Sequence, residues 1–87
     1  MNEMYIVSFN STHHAIRTEK IFIENEIKCT TLPTPREITA SCGISIRFLV
    51  EDLNKVKDVL KVSEVDFKGI FKIQKSLDGK KVVEEIG

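Results

Sequence analysis

The sequence has no surplus of charge: 13 lysines and arginines stand against 13 aspartates and glutamates, a formal net charge of zero at pH 7. A neutral chain whose basic residues are scattered among acidic ones creates no field to draw in DNA, RNA or an anionic bilayer. Nucleic acid and membrane are therefore not expected as partners. Long apolar runs are missing too. The longest, such as Met4 to Val7, cover a few residues, far short of the ~20 needed to span a bilayer, so no transmembrane helix is expected. The start, Met1-Asn2-Glu3-Met4, lacks the basic residues and apolar stretch of a secretory signal and reads as a cytoplasmic start. Only two cysteines occur, Cys29 and Cys42, too few and too oddly spaced for a disulfide framework or a CxxC site. In a reducing compartment both should be thiols. There is no glycine-rich phosphate loop, GxSxG elbow or paired-carboxylate motif, so conventional kinase and hydrolase readings fall away.

What remains is one small domain of 87 residues. At this size folding buries roughly two-thirds of the surface the unfolded chain exposes, enough for one two-layered core and no deep cavity. Met4 to Phe9 is β-branched, aromatic or aliphatic and reads as a strand, and Asn10-Ser11-Thr12 follows with helix-capping side chains. A helix is predicted from Thr12 to about Glu26, with Ala15, Ile16, Phe22 and Ile23 on its apolar face. A second strand covers Ile27 to Leu32 and ends at Pro33-Thr34-Pro35.

Strict alternation at Ile44-Ser45-Ile46-Arg47-Phe48 puts the even-numbered residues toward the core and Ser45 and Arg47 on the other face. Leu49, Leu53, Val56 and Leu60 recur at helical spacing, which predicts a second helix at about 51–61. Phe67, Gly69, Phe71 and Ile73 alternate with Lys68, Ile70 and Lys72 in a fourth strand whose second face is partly solvated. Asp78-Gly79 marks a turn, and the stretch beyond it is either a hairpin strand or a loose tail. The order β-α-β-β-α-β predicts an α+β, ferredoxin-like split β-α-β fold over residues 1–75, an antiparallel sheet with two helices on one face, with 76–87 as a C-terminal extension.

That topology brings Asn10 to His14 opposite Pro33 to Gly43 at one end of the sheet. Cys42 sits beside Gly43, whose missing Cβ permits close approach, and near the start of the first helix, where free N–H groups favour an anion. A thiolate, the nucleophilic form of cysteine, would be favoured there. Arg36, His13 and His14 add positive charge, and the guanidinium of Arg36 is a fork suited to an oxyanion. A free cysteine is also a common small core residue, which is the plainer reading of Cys42 and, more so, of Cys29 within its apolar strand. Adjacent His13 and His14 point about 100° apart on a helix, and no standard zinc-ligand spacing joins them to the cysteines, so no metal is expected. Glu19 has only apolar neighbours one turn away on either side, which predicts a partly buried carboxylate needing a partner, Arg36 or Arg47.

The stretches Phe9-Asn10-Ser11-Thr12-His13-His14-Ala15, Glu19-Lys20 and Thr34-Pro35-Arg36-Glu37-Ile38-Thr39-Ala40-Ser41-Cys42-Gly43-Ile44-Ser45-Ile46 resemble the small bacterial and archaeal domains known as selenium/sulfur carrier protein-like. The resemblance spans roughly Tyr5 to Ile73, and its most specific part is the Pro-Arg segment followed by Ser-Cys-Gly. Relatives often have serine where Thr39 stands and glycine near Glu26. The resemblance implies a carrier, more than an enzyme, holding sulfur or selenium on Cys42, with Arg36 and Glu19 in support; the topology adds Ser11, Thr12, His13, Thr34, Pro35, Ser41 and Gly43 as supporting candidates around it. Such a carrier needs no cofactor but does need a donor and an acceptor protein. Two other classes fit the residues: a small regulatory module binding an anion or a partner with Cys42 structural, and a redox-sensing or weakly catalytic thiol.

Overall fold

The computed structural model describes residues 3–34 and 43–86. The chain runs β1 (Glu3–Phe9), α1 (Thr12–Glu24), β2 (Cys29–Pro33), β3 (Ile44–Phe48), a single 3-10 turn (Val50–Asp52), α2 (Leu53–Ser63), β4 (Gly69–Lys75) and β5 (Lys81–Glu85). The strands form one sheet in the order β2-β3-β1-β4-β5, and every neighbouring pair is antiparallel. The architecture is α+β with two helices. It is wider than the four-stranded arrangement expected, because residues after the Asp78-Gly79 turn add β5 to the edge beside β4. Gly79 has φ +86°, a conformation that costs glycine little, and the turn closes through Ser76 N donating to Lys80 O at 2.8 Å.

Helix α1 begins where Ser11 accepts a hydrogen bond from His13 N at 3.2 Å. It stops at Asn25, and the next residue, Glu26, takes φ +60°, the left-handed closure that glycine usually supplies. Ile27 N then donates to Phe22 O at 2.8 Å and redirects the chain into β2. The buried stripe of α1 is Ala15, Thr18 and Phe22, not the expected set, for Ile16 and Ile23 are 48% and 62% exposed. Thr18 can occupy that stripe because its hydroxyl donates to His14 O at 2.8 Å, leaving no lost hydrogen bond. Rotating the buried face this way moves Glu19 to its border, where the carboxylate is only half-buried.

One face of the sheet carries the main core. Val7 and Phe9 of β1, Ile46 and Phe48 of β3 and Ile70 of β4 pack with Ala15 and Phe22 of α1 and Val56 and Leu60 of α2, so both helices cover the same face. Strand β4 has the opposite orientation from that expected, since Ile70 registers with Val7 and faces the helices while Phe71 registers with Ile6 on the other side. That second face is more enclosed than alternation suggests. Ile6, Ser8 and Ser45 are all fully buried there, and Ile73 nearly so.

Candidate functional site

The register fixes which residues meet at each end of the sheet. At one end Pro33, Ile44 and Phe9 lie side by side across β2, β3 and β1; at the other, Cys29, Phe48 and Tyr5 do. Helix α1 starts just beyond Phe9 and runs back toward the Cys29 end. Ser11, Thr12, His13 and His14 therefore share an end with Thr34 and Gly43, as the topology predicted. Pro35, Arg36, Ser41 and Cys42 lie outside the described residues, as does any pairing of Glu19 with Arg36.

Thr34 N donates to Gly43 O at 3.0 Å, so the residues flanking 35–42 are bonded to one another. A Cβ on Gly43 would stand 3.1 Å from Thr34 Oγ1 and 3.5 Å from the backbone oxygen of Phe9. Glycine is thus suited to this position by space. A depression of about 290 Å³ opens here, lined by Thr31, Leu32, Pro33, Gly43 and Ile44. The first turn of α1 carries no acidic residue, so nothing on the helix itself opposes an anion at its start. His13 is exposed; His14 is half-buried, and its Nδ1 is enclosed with no hydrogen-bond partner among the described residues. The two rings meet edge-on at 5.8 Å and 74°.

A line of hydroxyls runs into this end from the sheet. Ser8 Oγ lies 2.9 Å from Ser45 Oγ, which lies 2.7 Å from Thr34 Oγ1. Sequence reasoning missed Ser8 and Ser45 because alternation sends Ser45 to a face presumed solvated. Only the strand register, which opposes Ser8 to Ser45, reveals the line.

The Cys29 end has the contrary character. Burial pushes the Cys29 thiol above its ordinary value of 9.0, and the nearby Glu19 carboxylate raises it further. Cys29 borders a depression of about 190 Å³ lined by Lys28, Thr30, Arg47, Phe48 and Leu49. Arg47 does not pair with Glu19 as one alternative expected. It registers with Ile6 and Thr30, on the face away from the helices, whereas α1 packs on the other face. Cys29 also stands at the far end of β2 from the histidines, and among the described residues no three His, Cys, Asp or Glu side chains are grouped to hold a metal. No helix among those residues is long and apolar enough to cross a membrane.

The fold is similar to that of a functionally unknown protein from Pediococcus pentosaceus ATCC 25745, with 15% sequence identity and a TM-score of 0.51 over 99% of this chain and 85% of that one. At such identity the likeness concerns the fold alone. No curated protein matches the sequence. A family model does match, over residues 4–72, a span that holds β1 through most of β4 and the segment between Thr34 and Gly43. The chain therefore belongs to the family described as "Putative Se/S carrier protein-like".

Proposed function

We propose that this protein is a carrier rather than an enzyme, and that Cys42 accepts sulfur or selenium from one protein and passes it to another. The observation that carries the reading is the bonded pair Thr34 and Gly43 at the end of the sheet where α1 begins, which supports a reactive segment tied at both of its ends. The family description supports the chalcogen as cargo. The order β2-β3-β1-β4 supports reading the first four strands as a ferredoxin-like unit with β5 added at its edge. The chemistry suits a reducing, cytoplasmic setting and asks for no metal or organic cofactor.

In the proposed transfer the Cys42 thiolate attacks the outer sulfur of a donor persulfide. A new S–S bond forms at Cys42 as the donor's S–S bond breaks, and the donor leaves as a thiolate. The transferred sulfur keeps its proton or releases it to solvent, and there is no net oxidation. A selenium atom bound to the donor's sulfur follows the same course. A persulfide is a stronger acid than its parent thiol, so the start of α1 and Arg36 favour the loaded form as they favour the thiolate.

The test is incubation with a cysteine desulfurase and cysteine, or a selenocysteine lyase and selenocysteine, followed by peptide mass spectrometry. One chalcogen atom is expected on Cys42, lost in Cys42→Ser and kept in Cys29→Ser. A wild-type protein left unmodified by both donors, or an adduct on Cys29, would overturn the reading in favour of a regulatory module.

A further inference from the structure

The sheet ends in two open edges, and they are not alike. Among the described residues no strand lies outside β2 or β5. Hydrogen bonds fix which residues of each edge turn outward. Thr34 N donates to Gly43 O, and residues bonded to β3 recur at every second position, so Thr30 and Leu32 turn inward with Thr34 while Cys29, Thr31 and Pro33 point their backbone groups to the open side. Pro33 has no N–H to offer, which blunts that edge. On the other side Ser76 N donates to Lys80 O and Ile86 N to Ile70 O, so the even-numbered residues of β5 bond to β4. The backbone N–H and C=O groups of Lys81, Val83 and Glu85 therefore face outward. No proline interrupts them.

The register within the chain leaves β5 incompletely matched. Glu84 stands opposite Lys72, an opposed-charge pair, yet Lys81 stands opposite Lys75 and Glu85 opposite Phe71. Like charges directly across a ladder repel, so neither Lys81 nor Glu85 meets an opposite charge across its own sheet. Met4, Ile73 and Val83 form one cross-strand row on the face away from the helices, and the row stops at Val83, which is half-buried.

We propose that two copies of this chain pair antiparallel through β5, about a two-fold axis at Val83, into one continuous sheet. In such a pairing an outward-bonding residue opposes only another outward-bonding residue, and centring on Val83 is the register that matches all three. Val83 then meets the partner's Val83, Lys81 meets the partner's Glu85, and Glu85 meets the partner's Lys81. Both unmatched charges gain an opposite, the row of Met4, Ile73 and Val83 continues into its own image, and each opposed pair exchanges both of its hydrogen bonds. The contact uses the same patch on both copies and closes as a dimer. A β2 edge in the same place would bring no acid or base at its outward-bonding positions and would lack one N–H. The pairing owes nothing to Cys42 or to any cargo.

Sedimentation equilibrium of the full chain measures the association. Wild type is expected to approach twice the chain mass, reversibly, as concentration rises. Val83→Pro removes an outward N–H and no bond to β4, so it should stay folded by far-UV circular dichroism and remain a monomer. Glu85→Lys and Lys81→Glu each set like charges opposite one another at both ends of the interface, and each should raise the dimer dissociation constant about tenfold or more. Mixed in equal amounts, those two variants should pair with each other, because every charged position then meets its opposite. The double variant Lys81→Glu/Glu85→Lys should dimerise with itself as wild type does. This exchange of charges decides the matter should Val83→Pro fail to fold. A wild-type chain that stays monomeric up to about 1 mM, a dimer that survives both reversals, or reversed variants that stay apart when mixed would overturn the proposal.

Discussion

The two ends of α1 differ in character. At the end where the helix stops, Cys29 is packed against the core beside Glu19, and burial and the carboxylate both hold its proton on. At the end where the helix starts, Thr34 and Gly43 are joined by a backbone hydrogen bond, the first turn has no acidic side chain, and a buried hydroxyl chain arrives from two strands away. Both ends belong to one short helix. The contrast teaches that one short helix can offer a thiol two different settings: burial first and a carboxylate second where it stops, and a first turn free of acidic side chains where it starts.

Loosening the core should erase the contrast from the Cys29 side. Phe22 is fully buried and its carbonyl anchors Ile27 on the way into β2. Phe22→Ala is expected to cost about 3–5 kcal/mol, read by denaturant unfolding, and to expose Cys29 to labelling. Crowding the other end should be milder. In Gly43→Ala the new Cβ meets Thr34 Oγ1 at 3.1 Å, so a loss of roughly 1–3 kcal/mol is expected. Adding Thr34→Ala removes the opposing atom and should recover part of that loss; strict additivity in a double-mutant cycle would contradict the close contact.

The two termini of α1 offer a smaller comparison. Ser11→Ala removes the cap at the start and should cost about 1 kcal/mol, whereas Glu26→Gly relieves the left-handed residue at the close and should gain about 0.5–1 kcal/mol. Thermal melting of both variants checks the opposed signs. Last comes charge alone. Glu19→Gln withdraws the carboxylate that raises Cys29, so alkylation of Cys29 near pH 8 should rise a few-fold at most while that of Cys42 stays unchanged. The same upward shift makes the protein less stable in alkali. Above 9.0 the unfolded thiol gives up its proton while the folded one retains it, so stability falls as pH climbs from there toward the folded value, and Cys29→Ser should flatten that decline.

Much of the fold was readable because local signals agreed. The alternation at Ile44–Phe48 matched β3 residue for residue, and Asn10-Ser11-Thr12 marked the start of α1. The failures share one cause: periodicity says which residues lie on the same face and not which faces are covered. In β4 both alternating sets contain apolar residues, so only pairing with Val7 shows that Ile70 faces the helices. In α1 the stronger apolar pair, Ile16 and Ile23, lost the core to Thr18, whose hydroxyl is satisfied by its own helix. Glu19 is partly buried as its apolar neighbours predicted, but at the border of the stripe, where it acts on Cys29 and does not pair with Arg47. At the candidate site the sharing of one end of the sheet by the start of α1, Thr34 and Gly43 followed from topology alone, but the Thr34–Gly43 hydrogen bond and the Ser8–Ser45–Thr34 line need cross-strand register, which no single strand's sequence contains.

The difference between the two ends is tested most directly by one experiment on the unmodified chain: isotope-coded alkylation of Cys29 and Cys42 followed together from acid to alkaline pH. The account predicts that Cys42 labels at least about tenfold faster at neutral pH, with a midpoint below the ordinary cysteine value of 9.0, while Cys29 labels slowly with a midpoint above it. Coincident profiles, or a faster Cys29, would contradict it.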